Sequence, residues 1–163
     1  YEANMDLRST HPQLDLYNKR WPIFNYHLSL PPAKFVHNEE VGQDGLPRIG
    51  KSINSLVCDG CIISGSTVTN SVLFNSVHVH SYSTVNNSII LNDVEIAEHC
   101  RLRNVIIDKH VHLPSGTVIG YNREEDEKKY MVVDLFEDDG SWLTVIPKSR
   151  ETMDRALPKV EFI

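Results

Sequence analysis

With 163 residues, 40% of them apolar, the chain is long enough for one domain with short appendages. Its 22 acidic residues outnumber 16 basic ones and give a formal net charge of −6, which disfavours a general nucleic-acid-binding or anionic-membrane surface. No segment approaches the roughly 18 apolar residues of a membrane span, and the start resembles neither an initiator segment nor a signal peptide, so we expect a cytoplasmic protein whose chain begins mid-protein.

The first 50 residues give weak and mixed structural signals. Residues 1–20 carry scattered apolar side chains, which predict a helix that breaks near Pro12 and resumes over residues 15–19. Residues 21–36 contain three prolines, and because proline excludes helix and restricts the residue before it, we expect mainly extended backbone. Residues 37–50 hold three glycines, one proline and several charges, so they predict a linker loop.

A sequence repeat governs residues 51–120. Apolar residues recur every 17 residues in three registers, which are Ile62, Val79, Ile96 and Leu113; Val68, Val85, Leu102 and Ile119; and Val77, Val94 and Val111. Within one period the apolar steps are five or six residues long, and small side chains follow several of the leading aliphatics, as in a hexapeptide repeat. Such a repeat winds short parallel strands into a β-helix, because each coil buries one layer of side chains against its neighbours.

Asparagines predict the corners of this β-helix. Asn70, Asn87 and Asn104 also stand 17 residues apart, and asparagine tolerates the left-handed backbone that a tight turn requires. We expect a left-handed coil, although most parallel crossovers are right-handed. A run of antiparallel strands is the alternative, but such strands need no constant spacing.

Residues 121–163 are predicted to fold outside the repeat. The charged segment 123–129 predicts a short solvated helix. Two β-rich segments, 131–136 and 142–146, flank a glycine-containing turn and predict a hairpin, and a final helix is expected over residues 150–157. The predicted fold is therefore mainly β: a left-handed parallel β-helix with short helical segments before it and a hairpin plus helix after it.

Histidines and cysteines are the first candidates for chemistry. The repeat contains His78, His80, His99, His110 and His112. They could hold zinc, as in the left-handed β-helical carbonic anhydrases, or one could act as the general base of a hexapeptide acyltransferase. His78 and His80 flank Val79, and His110 and His112 flank Val111. Because both valines are predicted to face inward, we interpret the histidines as outward surface side chains. The cysteines, Cys58, Cys61 and Cys100, lack a second ligand pair at zinc-site spacing, so we interpret them as reduced apolar fillers and predict no metal or cofactor in this chain.

A further apolar column consists of Leu73, Ile90 and Ile107 at the same 17-residue spacing. Each follows a residue that the repeat predicts to face inward, so strand alternation directs this column outward. A contiguous outward apolar stripe usually marks a protein contact. We therefore predict that these three residues contact another domain or subunit; the alternative is a shifted register that leaves Ile107 inside the coil.

Four basic residues form the candidate anion-binding site. Lys109 follows one strand of the predicted coil, and Lys148, Arg150 and Arg155 lie in the terminal segment, which must fold back onto the molecule. Together they could bind a phosphate, because arginine offers forked donors and lysine a point charge. The alternative is a solvated basic helix end, which the helix dipole would favour.

Eight short segments spread along the chain together form a highly specific family signature. They are YEANMDL at 1–7, PPAKFV at 31–36, NSLV at 54–57, GCIISG at 60–65, SVLF at 71–74, CRLR at 100–103, IIDK at 106–109 and VIG at 118–120. This combination closely resembles the bacterial ADP-glucose pyrophosphorylases (glucose-1-phosphate adenylyltransferases) over nearly the whole chain. The resemblance implies the C-terminal part of an enzyme that makes ADP-glucose and pyrophosphate from ATP and glucose 1-phosphate in glycogen synthesis.

The resemblance also implies how the chain is divided. Residues 1–36 would be the tail of the catalytic domain and its connecting segment, residues 37–50 a linker loop, residues 51–120 the β-helix, and residues 121–163 a C-terminal hairpin and helix extension. The family's catalytic half carries a Gly-rich phosphate loop, substrate lysines and the aspartates that hold Mg²⁺ with ATP. This sequence has none of these, so the chain alone is expected to be inactive.

What remains for this chain, by resemblance, is regulation and assembly. In the family, allosteric sugar phosphates and nucleotides bind between the catalytic domain and the β-helix of a homotetramer. By motif, Lys109 occupies the cationic position after one coil, and Lys148, Arg150 and Arg155 resemble the family's terminal cations. The alternative is a stand-alone hexapeptide acyltransferase or trimeric scaffold, which would begin near residue 50.

Overall fold

The computed structural model describes residues 1–22, 28–41, 47–135 and 140–148, with the backbone alone for residues 38–41. The predicted final helix, residues 150–157, lies outside the described residues. Within these ranges, no helix is both long enough and apolar enough to cross a membrane.

Strands far outnumber helices in the described chain. In chain order the elements are α1 (Glu2–Asp6), β1 (Lys34–Val41), β2 (Pro47–Ile49), β3 (Lys51–Ile53), β4 (Leu56–Val57), β5 (Ile62–Ser64), β6 (Thr67–Thr69), β7 (Val72–Leu73), β8 (His78–Val79), β9 (Thr84–Asn86), β10 (Ile89–Ile90), β11 (Glu95–Ile96), β12 (Arg101–Arg103), β13 (Val105–Ile107), β14 (His112–Leu113), β15 (Val118–Ile119), α2 (Arg123–Lys129), β16 (Met131–Asp134) and β17 (Trp142–Ile146). Because the repeat places an inward side chain every five or six residues, each strand is short and a corner follows it at once.

The described strands form three sheets that are the three sides of a β-helix. Face one has the order β14-β11-β8-β5-β1-β2, face two β15-β12-β9-β6-β3, and face three β16-β17-β13-β10-β7-β4. Neighbouring strands are parallel, apart from the antiparallel pairs β1–β2 and β16–β17. The predicted parallel β-helix is therefore confirmed.

Each face contributes inward side chains from successive coils to a continuous core. The buried columns are Ile63, Val79, Ile96 and Leu113 on face one; Val68, Val85, Leu102 and Ile119 on face two; and Leu73, Ile90, Ile107 and Ile146 on face three. The first column corrects the sequence prediction, since Ile63 rather than Ile62 lies inside and pairs with Val79. From Ile63 to Val68 the chain advances five residues, one fewer than from Val79 to Val85, so the early coil does not keep the 17-residue period.

The predicted contact stripe is wrong by one residue. Leu73, Ile90 and Ile107 are each 0% exposed inside the coil, so they are not available to another domain or subunit. The neighbouring column faces outward and packs against the segment that contains α1; it comprises Val72, Ile89 and Ile106. The prediction failed because the adjacent residues in β7, β10 and β13 are both aliphatic. Hydrophobicity alone does not determine which of two adjacent side chains points inward.

Asparagine and serine build one corner of the coil. The corner residues Asn54, Asn70, Asn87 and Asn104 have φ values between 48° and 52°, which confirms the left-handed backbone predicted for the last three. The serines that follow the first three of them accept hydrogen bonds from backbone N–H groups of the next coil at 3.0–3.3 Å. This ladder satisfies backbone donors that a tight buried turn would otherwise leave unpaired.

The N-terminal region differs from its predictions in two places. α1 ends at Asp6, and residues 15–19 form turns instead of a second helical segment. There Asp15 and Asn18 each accept, through a side-chain oxygen, the backbone N–H two residues later, and such local pairing competes with helix. The predicted linker contains the end of β1 and all of β2; these two strands pair with each other, and β1 also pairs with β5. Residues 37–41 and 47–49 therefore belong to face one.

α2 and a hairpin lie at the C-terminal end of the β-helix. α2 spans the predicted segment 123–129, and β16 and β17 form the predicted antiparallel hairpin. β17 also extends face three by pairing in parallel with β13. The Asp126 carboxylate, 3% exposed, accepts hydrogen bonds from the Gly120 N–H at 2.8 Å, the Trp142 indole N–H at 3.1 Å and the Thr144 hydroxyl at 3.2 Å. One carboxylate thus joins the last coil, α2 and the hairpin.

Candidate functional site

The pairing of β13 with β17 brings two of the predicted cations together. Lys109 stands two residues after Ile107, and Lys148 stands two residues after Ile146, the register partner of Ile107. The Asp108 N–H donates to the Ile146 carbonyl oxygen at 2.9 Å, so the pairing continues beyond the strand end. Neighbouring strands lie about 4.8 Å apart, and the two lysines therefore leave face three side by side.

The surroundings leave both lysine ammonium groups accessible. Both residues are exposed, and neither forms an ion pair with another described residue. The nearest carboxylate in sequence, Asp108, accepts the Lys109 backbone N–H at 2.7 Å. At the same corner, Nδ1 of His110 lies 3.5 Å from the Asp93 carboxylate. Two adjacent point charges with no ion-pair partner in the described ranges suit the oxygens of a phosphate ester.

Only two of the four predicted anion-site residues lie in the described part of the chain. The structure brings Lys109 and Lys148 to one edge, whereas Arg150 and Arg155 lie outside the described residues. Sequence reasoning singled out both lysines, but it gave no register between their strands. That register depends on β17 joining a coil strand far away in sequence, which no local pattern encodes.

A second group of polar side chains lies on the outer surface of face one. His78, Glu95 and His112 occupy one register position on three successive strands, and His80 lies two residues after His78. Nε2 of His80 is 2.9 Å from Oε1 of Glu95, and Nδ1 of His112 is 3.0 Å from Oε2 of the same carboxylate. These two hydrogen bonds, the one from His80 foremost, hold the pKa of the Glu95 carboxyl below its usual value. Burial, and secondarily the neighbouring His80, lower the pKa of His78.

The structure confirms the outward orientation predicted for these histidines, since none of them is buried. Their convergence on one carboxylate was missed by the sequence reasoning. The signal was present, because positions 78, 95 and 112 stand at the same 17-residue interval as the apolar core columns. A polar column at the coil period therefore predicts side chains stacked on the surface, just as an apolar column predicts a core.

The cysteines lie apart from both groups. Cys61 and Cys100 are 1% and 0% exposed, Cys58 is half-buried, and all three are free thiols. The Cys61 thiol donates to the Phe74 carbonyl oxygen at 2.9 Å, and burial raises the pKa of Cys61 to about 11. A thiol that stays protonated at neutral pH is a poor nucleophile and metal ligand, so Cys61 serves to fill the core.

The N-terminal segment is attached to the asparagine corner. The Tyr1 hydroxyl donates to the Asn87 carbonyl oxygen at 2.7 Å, and Nη1 of Arg8 donates to Oδ1 of Asn70 at 3.2 Å. Met5 is 8% exposed and packs on the outward apolar column of face three. The column that does face outward, Val72, Ile89 and Ile106, is thus covered from within the chain.

Comparison with known proteins agrees with this architecture. The profile of the GlmU-like, C-terminal hexapeptide family matches residues 31–135. Among curated relatives, the glucose-1-phosphate adenylyltransferase of Dechloromonas aromatica is 45% identical over 132 residues, which cover 81% of this chain and 29% of the relative. Glucose-1-phosphate adenylyltransferase 2 of Pseudoalteromonas atlantica is 50% identical over 127 residues, covering 78% of this chain and 29% of the relative.

A third relative matches a longer part of the chain. The glucose-1-phosphate adenylyltransferase of an Anaeromyxobacter species is 44% identical over 149 residues, which cover 91% of this chain and 34% of the relative. The chain therefore spans about three tenths of the length of the curated relatives it matches, and the matched part is their C-terminal part. By its hexapeptide profile, its parallel coils and these similarities, the chain belongs to the GlmU-like, C-terminal hexapeptide family.

Proposed function

We propose that the chain is the C-terminal regulatory and assembly part of a glucose-1-phosphate adenylyltransferase, which forms ADP-glucose and pyrophosphate from ATP and glucose 1-phosphate in glycogen synthesis. The similarity to three such enzymes at 44–50% identity supports this assignment. In the whole enzyme a separate catalytic domain would hold ATP with its Mg²⁺. The β-helix would then serve that domain as a cytoplasmic regulatory module within a homotetramer.

The observation that carries the regulatory part of the proposal is the register of β13 and β17, which sets Lys109 beside Lys148. Two exposed lysines on adjacent backbones can hold one anion between them, because each ammonium donates to a different oxygen. A sugar bisphosphate or a nucleotide carries several such oxygens. We infer that the effector binds at this edge, and that Arg150 and Arg155 add further charge from the terminal segment.

An effector at this edge would regulate by contacting the catalytic domain as well as the β-helix. The β-helix is a packed unit, so an anion held by Lys109 and Lys148 can alter only how that unit lies against the catalytic domain. A ligand shifts such an equilibrium by the difference between its affinities for the two arrangements. Regulation therefore requires that the effector bind one arrangement more tightly than the other.

Lys109→Ala in the full-length enzyme tests this proposal. Removing one cation from a phosphate costs about 1.5–3 kcal/mol, so the concentration of fructose 1,6-bisphosphate giving half-maximal activation should rise about tenfold or more. The rate without effector should stay unchanged. Lys148→Ala should act in the same direction, and the double variant should fall short of the sum of the two, because both lysines would hold one anion.

Matched variants make the test specific. Lys109→Arg keeps the positive charge and should retain activation, whereas Lys51→Ala removes an exposed lysine from β3 on face two and should have no effect. AMP, as the inhibitory nucleotide, should be measured with the same set. Unchanged activation and inhibition in both Lys109→Ala and Lys148→Ala would remove this edge from the effector site. Adenylyltransfer by the 163-residue chain alone would contradict its role as a non-catalytic part.

A further inference from the structure

The outer surface of face one carries a set of metal-binding side chains that the proposed function does not use. His78, Glu95 and His112 stand in register on β8, β11 and β14. His80 belongs to the same surface, because the strand alternates and inward Val79 separates it from His78. Three imidazoles therefore surround one carboxylate.

The distances suit a single ion. One ligand atom from each of His78, His80 and Glu95 lies within 4.8 Å of the other two. The rings of His78 and His80 are stacked with their centroids 3.8 Å apart. Zinc binds histidine nitrogen and carboxylate oxygen at about 2.0–2.2 Å in tetrahedral geometry, so two ligand atoms of one ion stand about 3.4 Å apart. Small side-chain rotations would bring all three groups into that range.

The donor set decides which ions fit. Imidazole nitrogens suit zinc, nickel and copper, whereas magnesium and calcium prefer sites built from oxygen ligands. Two histidines and one glutamate leave an open coordination position, which water can fill. His112 bonds the second oxygen of the Glu95 carboxylate at 3.0 Å. It therefore fixes the orientation of that carboxylate from the side away from His80.

We propose that His78, His80 and Glu95 form a binding site for a divalent transition-metal ion such as Zn²⁺, with His112 as the residue that positions Glu95. The ion would replace the His80–Glu95 hydrogen bond of 2.9 Å and connect β8 to β11. This proposal does not depend on the effector site, because its ligands lie on a different face from β17. Its effect on the fold would be to tie two successive coils together from outside.

Zinc titration of the purified chain, prepared without a polyhistidine tag, tests the site. A chromogenic zinc indicator should report one equivalent of Zn²⁺ bound per chain, and millimolar Mg²⁺ should not displace it. His80→Ala and Glu95→Gln should each weaken binding at least about tenfold, and His112→Ala should weaken it by about tenfold through the loss of orientation. Zn²⁺ should also raise the unfolding temperature of the unchanged chain more than that of His80→Ala.

Two control variants separate this site from other zinc ligands. His110→Ala removes a comparably exposed histidine that contacts Asp93 instead of Glu95, and Cys58→Ser removes the least buried thiol; both should bind Zn²⁺ as the unchanged chain does. Because all the substituted side chains reach the surface, every variant should fold, which far-ultraviolet circular dichroism can verify. The proposal is overturned if no equivalent binds, if His80→Ala and Glu95→Gln bind normally, or if Cys58→Ser removes the binding.

Discussion

At the C-terminal end of the β-helix, α2 and the β16–β17 hairpin cover the last coil, whereas at the other end the first strand leaves an apolar side chain in solvent. Ile119, the last inward residue of face two, is 1% exposed, and Tyr130 packs against the core cluster to which it belongs. Phe35 of β1, in register with buried Ile63, is 47% exposed. The two side chains thus differ because α2 and the hairpin cover the first, whereas β2 pairs with β1 only from His37 onward and leaves the second partly in solvent.

The difference shows what a repeat can and cannot supply. Each inner coil is covered by the coils before and after it, so the repeat provides the wall of the β-helix and most of its core. A terminal coil has one neighbour, and something outside the repeat must cover its second side. At the C-terminal end Asp126 of α2 is central to that cover, since it accepts one hydrogen bond from the last coil and two from β17.

The largest expected effect is that of Asp126→Ala. It leaves the Gly120 N–H, the Trp142 indole N–H and the Thr144 hydroxyl without their acceptor. Each unsatisfied buried donor costs about 1–3 kcal/mol, so the free energy of unfolding should fall by about 3–5 kcal/mol in a urea titration. Asp126→Asn keeps one acceptor oxygen and should lose less. A loss below about 1 kcal/mol in Asp126→Ala would show that the cover does not depend on this carboxylate.

A pair of truncations compares the two ends directly. Ile146, the inward residue of β17, is 5% exposed, so Ile146→Ala should lower the free energy of unfolding by about 2–4 kcal/mol. Phe35→Ala should cost about 1 kcal/mol or less, because its side chain is half in solvent already. Urea titrations of both variants measure the contrast. Equal losses would mean that the first strand is as well packed as the last, and the comparison of the two ends would fail.

The smallest effect concerns pH and the first coil. Burial raises the pKa of Cys61 from 9.0 to about 11, so between these values the unfolded chain releases a proton that the folded chain keeps. The contribution of Cys61 to stability is therefore complete below pH 9 and is lost as the pH rises toward 11. Unfolding free energies at pH 8 and 10 should differ less in Cys61→Ala than in the unchanged chain. Identical differences would place this thiol in contact with water.

The sequence predicted the regular elements well, and it failed where two neighbouring residues were chemically alike. The 17-residue period predicted parallel coils, and Asn70, Asn87 and Asn104 predicted a corner, because both features repeat with the coil itself. The charged segment of α2 and the hairpin were also predicted, since each has a local pattern. Face three was misassigned by one residue because Val72 and Leu73 are equally apolar, and Ile62 was placed inside on face one because the early coil is a residue short.

For the candidate sites, too, the sequence identified residues but not their contacts. The sequence named Lys109 and Lys148, but their proximity follows from the pairing of β17 with β13, and the contacts of Glu95 with its histidines follow from side-chain geometry on the outer surface.

The amino-acid sequence by itself determined that this chain would wind into parallel coils, because the interval between apolar residues equals the length of one coil. Tertiary structure alone decided which residue of each aliphatic pair lies inside, where the terminal hairpin attaches, and which polar side chains meet. Those features depend on contacts between residues far apart in the chain. Their energies depend on packing and distance in three dimensions, which the order of residues along the chain does not express.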